Sequence, residues 1–155
     1  MDLINNKDIE KRLELNEETV RLLWSKTYNS QGRPDWSHIY CYYHDDIVFQ
    51  DCIQRLEGID EFKAMCERLT KRSGSLRMDI ENVIKKDNII ILEWIMKIVY
   101  KKAPETPIYG MTKLTICEDG RIIEQRDYYD LWGDIFNGIP KWKKVYRKWM
   151  HKHYG

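Results

Sequence analysis

LRMDIENVIK (residues 76–85), IIILEWIMKIVYKK (89–102), IYGMTKLTIC (108–117) and RIIEQRDYYDLW (121–132) decide the fold, because each is a β-forming run bounded by a turn signal. Met78, Ile80 and Val83 alternate with polar partners in the first run, and the second is long enough to be strongly bent or twisted. Lys86-Asp87-Asn88 turns between them, Pro104 and Pro107 mark a loop, and Glu118-Asp119-Gly120 is a tight hairpin. Upstream the period changes to that of helices. Asn16 to Tyr28 places Val20, Leu23, Trp24 and Thr27 on one side, with Asn16 as cap and Glu17 and Glu18 in the first turn. A second helix is expected from Asp35 to about His44, closed by Asp45-Asp46, then a short strand over Ile47 to Cys52. A third helix starts at Gly58, with Phe62, Met65, Cys66 and Leu69 as its apolar face. Helices followed by a meander predict an α+β fold: a cone-shaped, strongly bent antiparallel sheet packed on the N-terminal helices, with a C-terminal helix beyond it. The mouth of such a cone is the natural place for a small-molecule pocket.

Composition bounds the rest. A chain of 155 residues is one domain's worth of sequence, and 43% apolar with 12% aromatic residues excludes a disordered one. The net charge of +1 gives no strong positive field, so nucleic acid is not an expected partner. Met1 to Val20 is charged throughout, which does not fit a secretory signal, and Glu93 stops the aliphatic run at Ile89 to Leu92 far short of the ~20 residues that cross a bilayer. Cys41, Cys52, Cys66 and Cys117 form no Cys-x-x-Cys pair and have no histidine at zinc-ligand spacing. Reduced thiols in a cytoplasmic protein, with no metal and no organic cofactor, are the expectation.

Three strings carry a resemblance: Tyr43-His44-Asp45-Asp46-Ile47-Val48-Phe49-Gln50-Asp51 followed by Gly58-Ile59-Asp60, then Asp119-Gly120-Arg121-Ile122, then Gln125-Arg126-Asp127-Tyr128-Tyr129-Asp130. Together with the element order, they resemble the SnoaL-like branch of the nuclear transport factor two-like superfamily over residues 16–135. That fold carries isomerases, cyclases, dehydratases, hydrolases and binding proteins. In limonene epoxide hydrolase the acid-base aspartate falls on Asp127. The arginine and second aspartate it also needs fall on Trp94 and Met96 or on Glu93 and Ile95, and its water-positioning tyrosine and asparagine on Phe49 and Asp51, so that mechanism does not fit. In ketosteroid isomerase the proton-shuttling aspartate falls on Asp51, the oxyanion tyrosine near Trp24 and the second acid on Thr112. A polyketide cyclase of the SnoaL type places its base on Asp127. The resemblance also implies a homodimer formed through the convex face.

Strand parity puts Ile123, Gln125, Asp127, Tyr129 and Leu131 on one face, and Phe49 shares a face with Asp51. If both faces line the cone, two carboxylates enter one aromatic cavity, where burial and repulsion raise at least one pKa toward neutrality. Alternatively, Asp51 caps the turn after its strand and Asp127 pairs with Arg126 or a lysine. Trp94, Met96 and Ile98 on one strand, and Tyr109 and Met111 on the next, either line the cavity or pack in the core. Expected catalytic residues are Asp127 and Asp51; expected ligand contacts are Phe49, Trp94, Met96, Tyr109, Met111, Gln125, Tyr129 and Trp24.

The basic aromatic segment at about 134–153 stands apart. From Lys141 to Gly155, Lys141, Lys143, Lys144, Arg147, Lys148 and Lys152 accompany no acid, while Trp142, Val145, Tyr146, Trp149 and His153 recur at helical spacing. Such a helix either packs its aromatic side over the mouth of the cone or a neighbouring subunit, or makes peripheral contact with an anionic membrane. The expected function is proton transfer next to a carbonyl in an apolar substrate, of isomerase, cyclase or dehydratase type. The alternative is a non-catalytic binder of an apolar ligand, or a protein that docks on a membrane or a partner.

Overall fold

The computed structural model describes residues 12–29, 34–100, 106–135 and 139–155. Helix α1 (Glu17–Asn29) begins where expected, because Asn16 Oδ1 accepts from the Thr19 backbone N–H at 2.9 Å while the Thr19 hydroxyl oxygen accepts from the Asn16 N–H at 2.9 Å. Next comes a short 3-10 helix, Ser37–Tyr42, in place of the longer helix expected over 35–44. His44, Asp45 and Asp46 do not close that helix. They lie within strand β1 (Tyr43–Gln50), where the Asp46 N–H donates to His44 Nδ1 at 3.1 Å. The three-residue strand β2 (Arg55–Glu57) has no strand-like pattern of its own and comes from pairing with β1. Gly58, at φ 89°, makes the turn into helix α2 (Ile59–Arg72), whose buried side includes Phe62 and Cys66.

Strands β3 (Ser73–Lys86), β4 (Ile89–Tyr100), β5 (Thr106–Ile116) and β6 (Ile122–Tyr129) form the expected meander. Sheet order is β2-β1-β6-β5-β4-β3. One pairing corrects the all-antiparallel expectation: β1 runs parallel to β6, because the chain leaves β1 at one side of the sheet, crosses through α2 to β3 at the other edge and returns strand by strand. Bulges interrupt β3 between Ile80 and Asn82 and the β5–β6 pair at Ile116, where strands bend and alternation resets. Ile122, rather than Ile123, is therefore the buried residue at the start of β6, and Leu131 falls in a π-helical turn (Leu131–Ile135) beyond it.

The core lies between the concave face of the sheet and α1, the 3-10 helix and α2. Trp94, Leu92, Ile90 and Leu114 pack from the sheet against Val20, Trp24, Ile39 and Phe62. Helix α3 (Pro140–Tyr154) has little of this support. Trp142 is 55% and Trp149 50% exposed, and its described ring contact with the rest of the chain is Tyr146 on Trp132, at 5.9 Å between centroids.

Candidate active site

A cavity of about 270 Å³ opens inside the concave face under α2. It is mostly aromatic and aliphatic, with Trp24, Trp36, Phe49, Phe62 and Trp94 among its walls and Asp51, Gln54, Gln125 and Asp127 as its acidic and amide groups. The strand register explains which side chains enter. Trp94 stands opposite Gly110, and Thr112 opposite Asp127, so residues of that parity point inward. Trp94 is 2% exposed, which settles the register of the central strand: Glu93 points the other way and accepts from Asn82 Nδ2 at 2.7 Å.

Eight of the ten expected site residues line this cavity: Asp51, Asp127, Phe49, Trp94, Met96, Gln125, Tyr129 and Trp24. Tyr109 and Met111 do not. They lie on the convex face, 58% and 41% exposed, because the inward position between them is Gly110, which carries no side chain to reveal it. A Cβ at 110 would overlap the Trp94 ring, so only glycine leaves that ring its place against the strand.

Asp127 is held through one oxygen. Thr112 Oγ1 donates to its Oδ1 at 2.7 Å and Gln125 Nε2 donates to the same atom at 3.1 Å. Each donor is itself fixed: Trp94 Nε1–H donates to Thr112 Oγ1 at 2.9 Å, and the Tyr43 hydroxyl donates to Gln125 Oε1. Oδ2 accepts no hydrogen bond from the described residues, and no buried polar side-chain atom among them lacks a partner, so Oδ2 is open to the cavity. Burial pushes the Asp127 carboxyl up to about 6, helped by the charge of Asp51 and opposed by the bonds from Thr112 and Gln125. Arg126 takes no part. It donates to Gln50 Oε1 at 3.1 Å and lies 5.2 Å from the centre of the Tyr128 ring.

Asp51 both caps its own turn and reaches the cavity. Its Oδ1 caps the turn after β1, accepting from the backbone of Ile53 and of Gln54 at 2.8 Å each, while Oδ2 faces the cavity and accepts from the Tyr129 hydroxyl at 3.1 Å. Burial, the neighbouring Cys52 and the Asp51 carboxylate all raise the pKa of the Tyr129 phenol, which keeps it protonated and a donor. Cys66, also on the wall, is pushed up to about 12 by burial and stays a thiol. Among the described residues, no three His, Cys, Asp or Glu side chains gather closely enough to hold a metal ion.

Thr112 and Tyr43 were not singled out by their own pattern, although the ketosteroid isomerase comparison pointed at position 112. Arg68 and Arg72, which edge the cavity from α2, have no place in the sequence reading. Nor does the tail cover the mouth: Trp142, Tyr146 and Trp149 are absent from the cavity wall.

Comparison with known proteins agrees with this fold. The profile of the SnoaL-like domain matches residues 24–125. Among solved structures, an LEH-like epoxide hydrolase of M. tuberculosis is 17% identical, with a TM-score of 0.63 over 81% of this chain and 92% of that one. A candidate SnoaL-like polyketide cyclase from Jannaschia sp. CCS1 is 18% identical, with a TM-score of 0.64 over 90% and 95%. A protein of ketosteroid isomerase-like fold from Catenulispora acidiphila, in complex with trimethylamine, is 13% identical, with a TM-score of 0.67 over 79% and 93%. At these identities the likeness is one of fold. No curated protein matches the chain. The family profile spans well over half of the sequence, from Trp24 to Gln125, which includes most of the cavity wall: the chain belongs to the SnoaL-like domain family.

Proposed function

We propose that this protein is an acid-base enzyme that moves a proton next to a carbonyl in an apolar substrate, with Asp127 as the group that takes and returns it. The observation that carries the reading is the asymmetry of the Asp127 carboxyl: Oδ1 is anchored by Thr112 and Gln125, while Oδ2 is open to an apolar cavity, at a pKa of about 6. Near neutral pH such a group is mostly ionised and its conjugate acid is still within reach, which suits both halves of a proton shuttle. The Tyr129 hydroxyl, whose ring lies 6.2 Å from that of Trp94, supplies the donor for the developing enolate oxygen, and Asp51 holds it until substrate enters.

Proton-deuterium exchange into 2-tetralone, followed by NMR in D2O, tests the reading. Wild type accelerates exchange at the carbons beside the carbonyl, and Asp127→Asn lowers that rate ~100-fold or more. Binding of the ketone without exchange in either protein favours the alternative, a non-catalytic holder of apolar ligands. The engagement of Asp51 in its own turn is the observation on that side.

A second copy of the chain is the proposed partner for the convex face, where Ile84, Tyr109, Met111 and Tyr128 are all exposed. The cytoplasm is the proposed compartment, in keeping with four free thiols. Among the described residues no helix is long and apolar enough to cross a membrane.

A further inference from the structure

Two cations edge the cavity whose charge the described protein does not answer. Arg68 and Arg72 stand one turn apart on α2 and both contribute to the cavity wall, yet neither forms an ion pair or a side-chain hydrogen bond with a described residue. The acid beside them is engaged elsewhere, since Glu67 pairs with Lys71 at 3.7 Å. Like charges at i and i+4 repel, so nothing local favours this pair as a pair, although Arg72 alone gains from the C-terminal end of the helix.

The register sets the distance between these arginines and the acid. On the floor, Thr112 stands opposite Asp127 and Ile108 opposite Met96, so that four residues of β5, about 13 Å, separate the two levels. On the roof, Cys66 lies within electrostatic reach of Asp127, and Arg68 and Arg72 are two and six residues further along α2, about 3 Å and about 9 Å. From one level to the other the wall is apolar, with Leu69 on α2 and Trp94, Met96 and Ile108 on the sheet. An anion at depth would meet the carboxylates of Asp127 and Asp51, whereas an anion at the arginine level would meet two unpaired guanidinium groups.

We propose that the substrate is an amphiphilic organic acid, whose apolar body fills the channel with its reacting carbon at Asp127 and whose carboxylate rests on Arg68 and Arg72. The orientation rests on the reading of Asp127 as the reacting group; the preference for an anion does not. Decanoate and decanol, which differ in the headgroup alone, are the probes, and the readout is the fluorescence of the cavity tryptophans in wild type and in an R68Q/R72Q double variant. Decanoate should bind wild type at least ~10-fold more tightly than decanol, as two charge-assisted hydrogen bonds predict. That advantage should shrink with added salt and disappear in the double variant, which keeps its affinity for decanol and, because both arginines are exposed, a melting temperature within a few degrees of wild type. Equal affinities in wild type, an advantage that survives in the double variant, or no binding of either probe would overturn the proposal. Exchange into 2-tetralone, which is uncharged, reports on Asp127 without the arginines, so the two readings fail separately.

Discussion

Replacing Asp127 with Asn should make the protein more stable at neutral pH, not less. The carboxyl is raised from an ordinary 3.8 to about 6, chiefly by burial, so the folded protein binds a proton between those values that the unfolded chain releases. Its contribution is fully favourable below 3.8 and is lost as pH rises through about 6. A difference of about two pKa units corresponds to about 3 kcal/mol of destabilisation above that range. Asn keeps an oxygen to accept from Thr112 and Gln125 and carries no charge, so this pH-dependent penalty is absent from the variant. Urea unfolding of both proteins at several pH values is the assay. The stability of Asp127→Asn minus that of wild type should grow by up to about 3 kcal/mol between about pH 4 and pH 7 and then level off. A difference that stays flat across that window, or that falls as pH rises, would refute the reasoning. Gain of stability with loss of activity is the behaviour expected where a charge is held in an unfavourable place for its chemistry.

Other substitutions test the supports of that carboxyl and the parts around it. Thr112→Val removes a donor to the charged form and leaves the Trp94 N–H without its acceptor, so the Asp127 pKa should rise by about one further unit, at a cost of about 1–3 kcal/mol in stability; carboxyl NMR titration and urea melts check both, and Thr112→Ser should restore them. Gly110→Ala forces a methyl group into the Trp94 ring and should cost about 1–3 kcal/mol with loss of ligand binding, read by calorimetry and titration. Deleting residues 139–155 should leave cavity affinity unchanged and lower stability by about 1 kcal/mol at most, the worth of the Trp132–Tyr146 stack. The same helix should carry the intact protein onto anionic vesicles in a sedimentation assay, with binding that falls as salt is added.

Much of the architecture was legible because turns and caps are local. Asp87, at φ 53°, and Gly120, at φ 80°, sit in the hairpins that the turn residues marked, and Asn16 caps α1 through the bond its side chain suits. Parity along β4 and β6 brought Trp94, Gln125, Asp127 and Tyr129 to the cavity, since alternation persists wherever the ladder is regular. It failed at Tyr109 and Met111 because Gly110 hides the inward register, and at Ile123 because a bulge adds a residue. The parallel pairing of β1 with β6 left no local trace: its partners, such as Phe49 and Gln125, meet only through the crossover. Arg68 and Arg72 gain their meaning from the cavity beside them, which no helical period can announce.

The most direct measurement is a carbon NMR titration of the Asp127 side-chain carboxyl, assigned by comparison with Asp127→Asn. An apparent pKa near 6, moving when an apolar ligand fills the cavity, is the predicted result. A carboxyl that titrates at the ordinary aspartate value of 3.8 and ignores the ligand would contradict the account.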